Sequence, residues 1–212
     1  QDYIQAKPWG QDQQLGRMSA LVGDAELDEG NIYEALQEGW KNDLRNCWWI
    51  IDYNRQSLDG VVREGLFQRV EQIFDAFGWD VVRVKYGALQ RAAFAEAGGE
   101  KLKDWIDNCP NQLYSALTFM GGAIWRERLM DTLGDQGDIT ALLEARSDDE
   151  LAALMENLGG NCVQTMAEAF DAIDHDRPVC FLAYTVKGWG TPIAGHKDNH
   201  GGLMNKTQMA AW

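Results

Sequence analysis

Four short apolar runs limit what this 212-residue chain can fold into. Arg17 to Val22 (RMSALV), Cys47 to Asp52 (CWWIID), Asp80 to Val84 (DVVRV) and Val179 to Tyr184 (VCFLAY) are all strand-sized, the first two reading as buried strands. Helical patterns separate the first three. Ile32, Leu36 and Trp40 recur at spacings of four, with Asp28 and Glu29 near the start, where the helix dipole favours acids. Leu66, Val70, Ile73, Phe74 and Phe77 then share one helical face, and Gly78 ends that helix. The order strand, helix, strand, helix, strand predicts an α/β fold. Its sheet is mostly parallel, with right-handed crossovers and helices on both faces.

The stretch from Gly87 to Gly160 breaks this rhythm. Its composition is helical, with breaks at Gly98-Gly99 and Gly121-Gly122, so residues 87–160 read as a helical insertion into a single domain. Met166, Phe170 and Ile173 mark one more amphipathic helix before the fourth strand. Residues 188–204 then form a Gly-rich loop, expected to be mobile because glycine has the most backbone freedom to lose. A loop at the end of a sheet strand is where α/β folds bind ligands.

Charge narrows the ligands. Nineteen Lys and Arg against 33 Asp and Glu leave a net charge of −14. Such a chain repels phosphate backbones and anionic lipid, which argues against nucleic acid and membrane as partners. A phosphorylated ligand would then need backbone N–H groups, a helix N-terminus or a metal. No apolar run approaches the roughly 18–20 residues that cross a bilayer. Cys47, Cys109, Cys162 and Cys180 form no CxxC pair, and read as reduced thiols, three of them in the core, in a cytoplasmic protein. With only His175, His196 and His200, a multi-histidine zinc site is all but excluded. His175 reads as a solvated residue after a helix. The sequence starts at Gln1 without a Met or a signal peptide, and reads as part of a larger enzyme.

Two constellations carry chemistry. Gly23-Asp24-Ala25-Glu26 follows the first strand and precedes a helix, where a sharp turn at Gly23 and free N–H groups suit a phosphate. Asp52-Tyr53-Asn54-Arg55-Gln56 follows the second strand. Neighbouring parallel strand ends lie about 5 Å apart, so Asp24 and Asn54 are placed to share one Mg²⁺. Taken singly, each is more often a turn or cap residue.

The spacing of 30 positions between Asp24 and Asn54 resembles the thiamin diphosphate motif, which begins GDG and ends in Asn. The segments GDAELDEGNIYEALQ, IIDYNRQSLDGVV, FGWDVVRVKYG, YTVKGWG and DNHGGLMN also resemble, in order, the homodimeric pyruvate dehydrogenase E1 family of the transketolase superfamily. One departure is Ala25, where the family usually has Gly. The 146 positions from Asn54 to His200 favour this family over transketolase itself, where the interval is shorter. A non-catalytic α/β interaction domain is the rival from another class.

The resemblance implies roles. Asp24 and Asn54 match Mg²⁺ ligands, and Gln56 matches a third that uses its backbone carbonyl. Gly23, Ala25 and Glu26 match the turn whose backbone faces the diphosphate, and Leu58 matches an apolar neighbour of the cofactor. Lys187 and His200 match catalytic residues that approach the cofactor, His200 from the closing loop. His196, four residues before His200 in the same loop, reads as a solvated loop residue more often than a functional one. The implied reaction is decarboxylation of a 2-oxo acid, most simply pyruvate, with acyl transfer to a lipoyl group on a partner acyltransferase. The implied glutamate that binds the aminopyrimidine ring belongs to a second domain, supplied by the other subunit of a homodimer. That domain and the family's early histidines are not among these residues.

Overall fold

The computed structural model describes Lys7 and residues 16–57, 60–61, 64–134 and 137–212. Among the described residues, four strands form an all-parallel sheet: β1 (Met18–Gly23), β2 (Cys47–Tyr53), β5 (Asp80–Val84) and β6 (Val179–Tyr184), in the order β1-β2-β6-β5. The short strands β3 (Gln56–Ser57) and β4 (Gly60–Val61) pair antiparallel just beyond β2. Parallel pairing puts Gly23 opposite Asp52 and Asp52 opposite Ala183, so both chemistry-bearing turns leave one edge of the sheet.

Alternation along the strands builds two cores. Ile51, Cys180 and Leu182 face Leu36 of α1 (Gly30–Lys41) and Val70 and Phe74 of α2 (Leu66–Ala76). Trp48, Val179 and Phe181 face the other way, against Phe170 and Met166 of α9 (Val163–Asp171). Helices therefore cover both faces, as the strand-helix order predicts. All of β6 is buried, as a strand between two neighbours and two helical layers must be. A buried side chain such as Phe74 contributes about 1.5–3 kcal/mol by leaving water.

Two expectations of burial fail. Met18 and Leu21 are 72% and 77% exposed, because β1 is the edge strand and only Val22 among its residues is fully buried. Trp40, in the last turn of α1, is 64% exposed. The cysteines are free thiols, with Cys47, Cys162 and Cys180 buried and Cys109 half-buried.

Among the described residues, six helices run between β5 and β6 before α9: α3 (Ala88–Phe94), α4 (Gly99–Asn108), α5 (Asn111–Met120), α6 (Gly122–Leu133), α7 (Asp138–Glu144) and α8 (Asp148–Glu156). They have their own core around Trp125, which is fully buried between Tyr114 and Trp105. That core extends to Tyr53 and Tyr184 at the end of the sheet. The neck is fastened by Asn157, whose carbonyl accepts the Gly87 N–H at 2.8 Å and whose side chain accepts the Leu89 N–H at 2.9 Å. Ser147 and Glu150 cap α8 reciprocally, each side chain accepting the other's N–H. The last helix, α10 (Lys206–Ala211), ends at Trp212, whose indole donates to the Gly190 carbonyl at 2.7 Å.

At the opposite end of the sheet His175 is not simply solvated. Its Nε2 lies 3.0 Å from Asp80 Oδ2, which Arg177 also reaches at 2.7 Å. The aspartate at the start of β5 draws both in.

One close approach gives a direct test of how α6 packs on α8. A Cβ on Gly122 would overlap the Asp148 carbonyl oxygen, where α6 starts beside α8. Gly122→Ala should therefore lower unfolding free energy by about 2 kcal/mol or more, read by urea denaturation. Unchanged stability would mean that α6 and α8 are farther apart in solution.

Candidate functional site

Asp24 opens a five-residue 3-10 helix (Asp24–Asp28), which fills the turn expected between β1 and α1. Gly23 has φ −72°, ψ 152°, so the turn does not need a glycine there. Its N–H donates to Glu26 Oε2 at 3.1 Å, and this contact shapes the turn. Glu26 is exposed and Ala25 half-buried.

The two halves of the motif meet through one hydrogen bond. The Arg55 N–H donates to Asp24 Oδ2 at 2.6 Å. Arg55 takes φ +65°, a left-handed turn that aims this N–H at the carboxylate. Next to it, Asn54 Oδ1 accepts the Gln56 N–H at 3.0 Å, and Asn54 Nδ2 lies 3.4 Å from Asp52 Oδ2. Thr185, just after β6, donates its hydroxyl to Asp52 Oδ1. Asp24, Asn54, Arg55 and Gln56 are all buried, with Asp24 only 4% exposed.

Burial pushes the Asp24 carboxyl up to about 6. The Arg55 N–H opposes the rise, the negative charge of Asp52 adds to it, and Lys187 and the Ala25 N–H oppose it. Lys187, half-buried after β6, is thus close enough for its charge to act on Asp24. Gln56 is 2% exposed, and its Oε1 has no hydrogen-bond partner among the described residues. A buried acceptor without a donor marks a place for a donor or a cation.

This donor set fits a hard divalent cation. It offers carboxylate and amide oxygens, and its acids are short of counter-charge. Among the described residues no three His, Cys, Asp or Glu side chains cluster as a metal site, so amide and backbone oxygens must complete any coordination. Asp24, Asn54, Gln56 and Lys187 are therefore brought together. Leu58 lies outside the described residues.

His200 is exposed and makes no hydrogen bond, ion pair or ring contact among the described residues. The loop around it is nevertheless fastened. Asn199 Nδ2 donates to the carbonyls of Lys187 and Ile193, both at 2.8 Å, and Gln56 Nε2 lies 3.4 Å from the Gly195 carbonyl. His196 packs edge-on against Phe119 at 4.6 Å. Sequence reasoning placed Asp52 in the second constellation without giving it a role, and missed Thr185 and Asn199. Asp52 was legible as a second acid at the end of a strand beside the motif. Thr185 and Asn199 act through contacts far away in sequence, which no local pattern announces.

A family model described as the transketolase thiamine diphosphate binding domain matches residues 10–104. The chain is 29% identical over 184 residues to the pyruvate dehydrogenase E1 component of Cupriavidus necator, covering 85% of this chain and 20% of that protein. It is 30% identical over 185 residues to that of Haemophilus influenzae, covering 86% and 20%. It is 27% identical over 194 residues to that of Escherichia coli K12, covering 90% and 21%. This chain is similar to pyruvate dehydrogenase E1 components of the transketolase superfamily. It spans about one fifth of the length of these relatives.

The raised Asp24 carboxyl predicts a pH dependence. Between pH 3.8 and about 6 the folded chain holds a proton that the unfolded chain has released. Without metal, stability from this group should fall as pH rises through that window and level off above it. Asp24→Asn should remove that slope and stabilise the metal-free protein at pH 7.5 by on the order of 2 kcal/mol. Urea denaturation at several pH values measures both; a slope that survives the Asp24→Asn substitution would refute the assignment.

Proposed function

We propose that this chain binds Mg²⁺-thiamin diphosphate by the diphosphate end, as part of an E1-type enzyme. That enzyme decarboxylates a 2-oxo acid, pyruvate by preference, and passes the acyl group to a lipoyl group on a partner acyltransferase. One observation carries the reading: the Arg55 N–H joins Asp24 to the Asn54 turn across 31 positions in a buried, oxygen-rich site. The family match over residues 10–104 covers both halves of that motif.

In this reading Asp24, the Asn54 side chain and the Gln56 backbone carbonyl hold Mg²⁺. The backbone of Gly23, Ala25 and Glu26 faces the diphosphate. Asp52, tied by Thr185, keeps the Asn54 amide turned so that its oxygen faces the metal. Thiamin diphosphate, when bound, supplies the carbanion-stabilising chemistry that decarboxylation of a 2-oxo acid needs. Lys187 adds positive charge beside the diphosphate. His200 comes in from the loop of residues 188–204, where an imidazole is able to hold or move a proton near neutral pH. A second domain or subunit of a homodimer completes the site with its aminopyrimidine-binding glutamate, and the protein works in the cytoplasm. Transketolase-type ketol transfer is disfavoured by the 146 positions between Asn54 and His200.

Binding is tested by calorimetry with thiamin diphosphate and Mg²⁺. Asp24→Ala should abolish the Mg²⁺-dependent part, and unchanged affinity would refute the site. These 212 residues alone should release no CO₂ from pyruvate above the protein-free background.

The loop gives a separate prediction. In the full-length enzyme, amides from Gly195 to Leu203 should gain hydrogen-exchange protection when Mg²⁺-thiamin diphosphate and a stable substrate analogue are added. Equal exchange with and without ligand would exclude a closing role for His200.

A further inference from the structure

Arg55 has a second environment that the metal reading does not use. Its N–H faces Asp24, but its guanidinium points the other way, into a cavity of about 240 Å³. The cavity lies between the end of the sheet, the start of α2 and helices α4 and α5. Tyr53, Tyr114, Tyr184, Phe67, Ile106 and Leu158 give it largely apolar, aromatic walls, and exposed Glu64 and Gln68 stand at its mouth. None of Asp24, Asn54, Lys187 and His200 lines it.

Two of the lining residues carry a donor that is closed to solvent and has no acceptor among the described residues. Arg55 is 7% exposed and its Nε has no hydrogen-bond partner. Tyr184 is 4% exposed and its hydroxyl has none either. Arg55 spends its other nitrogens on neutral groups, with Nη1 3.4 Å from Asn111 Oδ1 and Nη2 3.1 Å from the Thr185 carbonyl. Its guanidinium carbon lies 5.5 and 5.8 Å from the Tyr114 and Tyr184 rings, close enough for cation–π attraction. Among the described residues it forms no ion pair. A buried charge without a counter-ion is costly.

The other charges on the cavity do not supply that counter-ion. Asp107 is engaged by Lys85 at 2.5 Å, by Lys103 at 2.8 Å and by the Tyr86 hydroxyl. Burial pushes its carboxyl up, but Lys103, Lys85 and Tyr86 together hold it down at about 2. Glu64 accepts the Asn111 N–H at 3.1 Å and faces solvent. Arg55 is therefore the lining cation that has no ion pair among the described residues, with Glu64 as the exposed acid at the same mouth. A guanidinium is well shaped for a carboxylate.

We propose that this cavity binds a small monocarboxylate with an apolar or aromatic body, its carboxylate facing Arg55 and its body against the tyrosine rings. The volume is sufficient, since an apolar cavity of about 150 Å³ takes up benzene. The site is independent of the thiamin diphosphate reading, although Arg55 belongs to both through opposite ends of the same residue.

The test is calorimetric titration of the protein with benzoate at pH 7, without Mg²⁺ or thiamin diphosphate. Benzamide serves as the neutral isostere and inorganic phosphate as the more highly charged anion. Benzoate should saturate one site, and benzamide and phosphate should each bind about tenfold more weakly or worse. Arg55→Met should weaken benzoate about tenfold or more. If Arg55→Met fails to fold, Tyr184→Phe decides, because it keeps the ring and removes only the unpartnered hydroxyl. A loss of about threefold or more supports the site, and no loss overturns it. Equal binding of benzoate and benzamide also overturns it, as does a benzoate-soaked crystal in which only ordered water meets the Arg55 guanidinium.

Discussion

A buried hydrogen bond from the Arg55 N–H to Asp24 Oδ2 fixes the geometry on which the candidate site depends. It spans neighbouring strand ends that are remote in sequence. It needs both the parallel register of β1 and β2 and the left-handed backbone at Arg55. Antiparallel pairing would send the two turns to opposite ends of the sheet. Parallel pairing puts acids, amides and a loop lysine at one edge, where carboxylates lose water and gain little counter-charge.

That shortage links structure to chemistry. Asp24 is held above the usual carboxylate range mainly because burial disfavours its charge, and the neighbouring Asp52 adds to the effect. A bound cation would relieve both. The chain as a whole is strongly acidic, so any anionic ligand must depend on local positive groups and aimed N–H donors. Such groups are few at this edge: Lys187 beside Asp24, and Arg55 with its charge turned into the neighbouring cavity.

The helices between β5 and β6 matter because they build one wall of that neighbouring cavity. Tyr114 on α5 and Ile106 on α4 meet Tyr53 and Tyr184 at the end of the sheet. The chain returns through the Asn157 contacts to Gly87 and Leu89, and Gly159 donates its N–H to the Lys85 carbonyl at 2.9 Å. These helices thus attach to the sheet both by the packing of that shared core and by hydrogen bonds at their return.

The sequence alone determined most of the framework. The third and fourth apolar runs became β5 and β6 with the predicted bounds, because short continuous apolar segments bounded by turns have few other burials open to them. Asp24 and Asn54 were legible as residues at two strand ends because each follows an apolar run, and it was the resemblance of their spacing to a known motif that singled them out as a pair. Local pattern did not tell that β1 would be an edge strand with Leu21 exposed, or that Trp40 would be left exposed at the end of its helix. Burial depends on what packs alongside, which is set by strand order. Nor did it tell that His175 would pair with Asp80, that Thr185 would hold Asp52, or that Asn199 would staple the loop. Arg55 is the clearest case. In sequence it is one basic residue between two amides; only the tertiary structure turns its N–H to Asp24 and buries its guanidinium among tyrosines, because that needs a left-handed turn where strand and helices meet.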